Sequence, residues 1–129
     1  MAGQITVSTL RDDTGVLATQ NGMNGIPKAW VNYNGIGATI RGAFNVSSVT
    51  LNSAGDYTLN FTTAMPNANY SIVATTVNLP GSYLMSMSVL MSNGTTPALY
   101  STTACRVQSR ATDASLATVG IVNCAIFSS

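Results

Sequence analysis

Apolar and polar residues alternate with a period of two along most of this chain. Tyr57, Leu59 and Phe61 alternate with Thr58, Asn60 and Thr62, the pattern of a strand with one buried and one solvated face. Met85, Met87, Val89 and Met91 alternate with Ser86, Ser88 and Leu90. Ile5 and Val7 do the same near the start, and Ala29, Val31 and Tyr33 do so around Trp30. Phe44 and Val46 lead into Val49 and Leu51. Abundant Val and Thr suit a pleated, half-buried surface better than a helix, because branching at Cβ restricts χ1. Residues 84–91 come nearest to a helical pattern, and their serines and alternation favour a strand.

Turn chemistry punctuates these runs. Asn34-Gly35-Ile36-Gly37, Asn52-Ser53-Ala54-Gly55-Asp56, Pro66-Asn67, Leu79-Pro80-Gly81 and Asn93-Gly94 all combine residues that favour tight backbone reversals. Many short strands with frequent turns predict an all-β fold, an antiparallel β-sandwich of jelly-roll-like type, over residues 26–129. Residues 1–25, with Gly15, Gly22 and Gly25, read as an extended N-terminal arm or connector.

The last two apolar runs flank Asp113-Ala114-Ser115. A hairpin turning between Ala114 and Ser115 would set Cys105 opposite Cys124 and Val107 opposite Val122, with Arg106 and Arg110 on the other face. The final strand is apolar on both sides: Val119, Ile121 and Phe127 on one, Val122, Cys124 and Ile126 on the other. Such a strand is covered on both faces, either by a second subunit or as the central strand of a two-layer sandwich. Ile5, Val7, Leu10, Val119, Ile121 and Phe127 are therefore the candidate assembly surface.

Charge changes the picture more than hydrophobicity does. Only 7% of the 129 residues are charged, against roughly 25% in ordinary domains. Ser, Thr and Asn together make up one residue in three. There is no His, which excludes a Ser-His-Asp triad, a Cys-His pair and an imidazole metal site. A net charge of +1 without a basic cluster offers nothing to a row of phosphates, so no nucleic-acid partner is expected. No apolar run approaches about 18 residues, so no membrane insertion is expected, and residues 1–4 lack the pattern of a secretory signal.

Candidate chemistry is sparse. Asp12 and Asp13 are adjacent and would point to opposite sides of an extended chain. Asp56 and Asp113 both sit at turns, where a side-chain bond to the backbone accounts for them. No carboxylate pair suited to acid–base catalysis emerges, and the expectation is a protein that is not an enzyme, with no cofactor and no metal. Cys105 and Cys124 form either a disulfide, closing a loop of about 20 residues and worth ~3 kcal/mol, or a buried thiol pair. Trp30, Tyr57 and Tyr70 lie within alternating runs and are expected in the core. Tyr83, Asn93 and Tyr100 lie in or beside loops and are candidates for surface recognition.

Several stretches carry a resemblance. They are Gly25-Ile26-Pro27-Lys28-Ala29-Trp30-Val31-Asn32-Tyr33-Asn34-Gly35, then Ile40-Arg41 and Phe44-Asn45-Val46-Ser47-Ser48-Val49. Gly55-Asp56-Tyr57-Thr58-Leu59-Asn60-Phe61, Thr63-Ala64-Met65-Pro66 and Asn69-Tyr70 follow. In this order they resemble a β domain of tailed-bacteriophage fibre proteins, including fibres of phages that infect cyanobacteria and other marine bacteria. The resemblance covers about Gly25 to Tyr70. It implies a virion structural protein, assembled in the host cytoplasm as a homotrimer, with other virion proteins of tail or capsid as partners. It also implies contact with a host-surface glycan or protein through loop tips. The chain is shorter upstream of this segment than such fibres usually are. A capsid decoration protein or a head fibre, anchored by the N-terminal arm, is the alternative expectation.

Overall fold

The computed structural model describes residues 26–78, 80, 86–89 and 100–128. Among them are eight strands and no helix: β1 (Ala29–Asn34), β2 (Thr39–Phe44), β3 (Val46–Ser53), β4 (Asp56–Phe61), β5 (Ser71–Val77), β6 (Ser86–Val89), β7 (Ala104–Arg110) and β8 (Ile121–Phe127). Two four-stranded antiparallel sheets pack together as the sandwich that the alternation predicts. Sheet I has the order β2-β1-β8-β5, and sheet II the order β3-β4-β7-β6. The expected arm, with Ile5, Val7 and Leu10, lies outside the described residues, as do Tyr83 and Asn93.

The alternating residues supply the core. β1 turns Ala29, Val31 and Tyr33 inward, β4 turns Tyr57, Leu59 and Phe61, and β8 turns Val122, Cys124 and Ile126. Tyr33 meets Tyr57 edge-on with ring centroids 5.1 Å apart, and Phe61 meets Tyr70 the same way at 5.9 Å. Each such pair adds about 0.5–1.5 kcal/mol beyond the area it buries. Tyr57 and Tyr70 are core residues, as read from the sequence. Trp30 is not: it is 42% exposed on the outer face of sheet I. Strand parity decides this, since the inward positions of β1 belong to its neighbours Ala29 and Val31.

The proposed last hairpin is overturned. β7 pairs with β4 and β6, whereas β8 pairs with β1 and β5, so Cys105 and Cys124 belong to opposite sheets. Cys105 lies opposite Leu59 on β4, and Cys124 opposite Val31 on β1 and Ala74 on β5. Both project into the core as free thiols. The turn at 113–115 does form. Asp113 Oδ1 accepts from the Ser115 amide at 3.0 Å and from its hydroxyl at 2.6 Å, and Ala114 takes a left-handed φ of 66°. Pairing stops almost at once, after an Arg110–Leu116 bridge and an Ala117 N–H to Ser109 carbonyl bond of 3.0 Å. The chain then crosses from sheet II to sheet I, and the crossing places Val119 fully within the core.

Two glycines let this crossing pack closely. A Cβ on Gly35 would lie 2.4 Å from the Val119 carbonyl oxygen, and one on Gly55 would lie 2.6 Å from that of Ala117. Gly55 also has φ +75°, as the β3–β4 turn requires. Ala117 of the crossing is bonded to Ser109 of sheet II, and Gly120 accepts from the Gly35 amide of sheet I at 3.1 Å, so the crossing is bonded to both sheets.

Candidate binding face

The two outer faces of the sandwich carry different chemistry. On sheet II a polar lattice covers β3, β4 and β7. Asn60 Nδ2 donates to Ser48 Oγ at 3.0 Å and to Thr50 Oγ1 at 3.1 Å, and Asn52 Nδ2 donates to Thr58 Oγ1 at 2.9 Å. At the centre lies Asp56, which is 2% exposed. Its carboxylate accepts from Arg106 Nε and Nη2, both at 2.6 Å, from Gln108 Nε2 at 2.8 Å and from Asn52 Nδ2 at 3.0 Å. Arg110 continues the network by donating to Gln108 Oε1 at 2.6 Å. Burial opposes ionisation of Asp56, but the Arg106, Asn52 and Gln108 bonds outweigh it and hold the carboxyl below its ordinary range. The turn explanation for Asp56 is thus replaced by a cross-strand ion pair. The register sets Asp56 opposite Gln108 and two pairs from Arg106 on the same face, a placement invisible until β4 and β7 are known to be neighbours.

The outer face of sheet I has three rows. Phe44, Trp30, Ala125 and Val73 stand opposite one another across the four strands. The next row is Gly42, Asn32, Asn123 and Thr75, and the third is Thr39, Asn34, Ile121 and Val77. The middle row is a hydrogen-bonded ladder. Asn32 Nδ2 donates to Asn123 Oδ1, and Asn123 Nδ2 donates to Thr75 Oγ1 at 3.5 Å. The Trp30 indole leans over Gly42, whose absent side chain leaves room for ring atoms 3.5 Å from a Cβ position. Between Trp30 and Val73 the small Ala125 leaves a groove of about 290 Å³, floored by β8 and lined by no charged residue.

The expected assembly residues separate here. Val119 is enclosed within the chain and unavailable to a partner, because the crossing turns it inward. Ile121 and Phe127 are half-buried on the outer side of β8, which is the central strand of a two-layer sandwich. Val73 and Val77 on β5, and Ile36 in the β1–β2 turn, are more than half exposed. Tyr100 is half-buried, with its ring tilted against Tyr70 at a centroid distance of 4.8 Å.

Inside the sandwich, burial pushes both the Cys105 and the Cys124 thiol up to about 12, which keeps them protonated and poorly nucleophilic. Burial, with the neighbouring Cys124, Tyr57 and Cys105, also raises Tyr33 far above the usual phenol range. The Tyr33 hydroxyl is buried with no hydrogen-bond partner, whereas Tyr57 donates to the Gly35 carbonyl at 2.6 Å. Among the described residues no three His, Cys, Asp or Glu side chains come together as a metal cage, and no helix is long and apolar enough to cross a membrane. Comparison with family models, curated proteins and solved structures finds no match to this chain.

Proposed function

We propose that this chain is a non-catalytic binding and assembly domain of a bacteriophage virion, of tail-fibre type, working as a homotrimer. One observation carries the reading: the outer face of sheet I exposes apolar and amide groups in its three rows, and the one charged residue of its four strands is Arg41, at the bulge of edge strand β2. Uncharged faces lose little hydration energy when a partner covers them, and exposed apolar side chains on a small domain mark interaction surfaces. Ile36, Val77 and Ile121 share the turn end of sheet I and form the subunit contact. The one carboxylate of sheet II is already neutralised within the chain by the Asp56–Arg106 pair, which suits a scaffold better than acid–base work.

The resemblance of residues 25–70 to phage fibre domains supplies the biological setting. The test is immunogold labelling of purified particles of the phage that encodes the chain, together with sedimentation equilibrium of the purified protein. Label on the tail and a mass about three times that of the 13.3 kDa chain are expected. Label on the head would favour the decoration or head-fibre reading, and particles without label would refute a virion role. Val77→Asp should dissociate the trimer while leaving the sandwich folded.

A further inference from the structure

The geometry points to a binding site for a neutral saccharide on the outer face of sheet I, in the groove between Trp30 and Val73. This rests on the proposed role in host-surface binding and moves recognition from the loop tips to the sheet face. Three features of the groove select the ligand class. First, Trp30 presents an indole 42% exposed at its rim, and the electron-rich face of that ring suits the C–H face of a pyranose. Second, the row beside it is made of amides and a hydroxyl. The Asn32–Asn123–Thr75 ladder spends one N–H of each amide. The second N–H of each amide, Asn32 Oδ1 and the Thr75 hydroxyl proton are left without partners among the described residues. That is a mixed set of donors and acceptors, as a sugar's hydroxyls require. Third, none of the lining residues is charged, so nothing there offsets the desolvation of a carboxylate, phosphate or ammonium.

Size agrees with this class. The groove volume of about 290 Å³ stands at the lower limit for small-molecule sites, enough for one ring and not for a long side-chain cluster. The ladder also orders the site in advance: Asn123 is held by the close bond from Asn32 on β1, with the longer 3.5 Å contact to Thr75 on β5 beside it, so less side-chain freedom remains to be lost on binding. A groove beside two bonded amides and a hydroxyl on three adjacent strands differs from a plain apolar contact patch, which has no use for the ladder.

The experiment uses the full chain and its own reporter, since Trp30 is the single tryptophan in the sequence. Emission and acrylamide quenching are followed during titration with glucose-, galactose-, mannose- and N-acetylglucosamine-based trisaccharides, with sialyllactose as the charged comparator. A neutral trisaccharide should give a saturable blue shift and protect Trp30 from quenching. Asn123→Ala and Ala125→Leu should each weaken this by about tenfold, the loss expected for one or two hydrogen bonds or for a filled groove. Ala125→Leu adds bulk on the outer face alone, so its thermal midpoint should stay close to that of the parent. Four results would overturn the site: no saturable response to any neutral sugar, an equal response to sialyllactose, unchanged affinity in Ala125→Leu, or a Trp30 that resists acrylamide in the free chain at every concentration. The last would mean that another segment or a second copy covers the groove. Cell adsorption separates the site from the wider reading. A chain that blocks phage attachment equally well with and without Ala125→Leu keeps the virion role and loses the groove.

Discussion

Replacing Asp56 by Asn should destabilise the sandwich by about 3 kcal/mol, and the reasoning starts from a count of donors. Four N–H groups converge on the carboxylate: Arg106 Nε and Asn52 Nδ2 on Oδ1, Arg106 Nη2 and Gln108 Nε2 on Oδ2. An asparagine has one acceptor oxygen, so either orientation sets its own N–H₂ against two donors. Gln108 cannot simply turn over, because its Oε1 already accepts from Arg110. Breaking a buried ion pair by removing one partner typically costs ~3–5 kcal/mol. The Arg106 side chain is 33% exposed and recovers some hydration, which places the cost at the low end, about 3 kcal/mol. For a domain of this size that lowers the thermal midpoint by roughly 10 °C. The assay is urea and thermal unfolding at pH 7, followed by circular dichroism and Trp30 fluorescence. pH gives a second readout. The folded pKa of Asp56 lies below its ordinary value of 3.8. The pair's contribution is therefore complete above that value and is lost as pH falls through the folded pKa. The parent should lose stability below about pH 4 more steeply than Asp56→Asn does. A variant within about 0.5 kcal/mol of the parent at pH 7, with the same acid profile, would refute the network as a source of stability.

Other outcomes follow from the core. Tyr57→Phe should cost about 1–3 kcal/mol by stranding the buried Gly35 carbonyl, while Tyr33→Phe should be neutral or stabilising because its hydroxyl has no partner; parallel urea curves decide. Gly55→Ala should lose more than about 1 kcal/mol, since it combines a positive φ with a Cβ that meets the Ala117 backbone at 2.6 Å; its denaturation midpoint checks this. Cys105 and Cys124 should react with a thiol reagent only as fast as the protein unfolds. With their pKa raised from 9.0 to about 12, stability should fall as pH rises between those values, a trend that Cys105→Ala should lessen.

Alternation made most strands legible. Residues 57–61 fall within β4, 29–33 within β1, and the turns at 34–37 and 52–56 lie between the strands they were expected to join. The parity of β1 also contained the position of Trp30, because a residue between inward-facing Ala29 and Val31 must point out. The last two strands failed for a physical reason. Asp113-Ala114-Ser115 has real turn chemistry, and turn chemistry is local. Whether the following chain continues the ladder or leaves it depends on Gly35 and Gly55 admitting the crossing segment, and on Val119 finding the core. Neither signal is local in sequence. The Asp56 network was hidden in the same way: its partners Arg106 and Gln108 are 50 and 52 residues distant. The Trp30 groove depends on three strands drawn from both ends of the described chain, so Asn32, Thr75 and Asn123 carried no joint signal along the sequence.

β8 stands between β1 and β5, paired with β5 from Ile121 to Phe127 and with β1 from Ile121 to Ile126. This makes the order of synthesis matter. Until β8 has left the ribosome, the β1–β2 hairpin and β5 have no common neighbour, and sheet I remains two separate pieces with their apolar sides open to water. Folding must then wait for the last seven-residue strand, which closes the longest loops of the structure in a single step. A nascent or truncated chain that stops before Ile121 would expose Val31, Tyr33 and Ile72 together, and would be a client for chaperones rather than a smaller working domain.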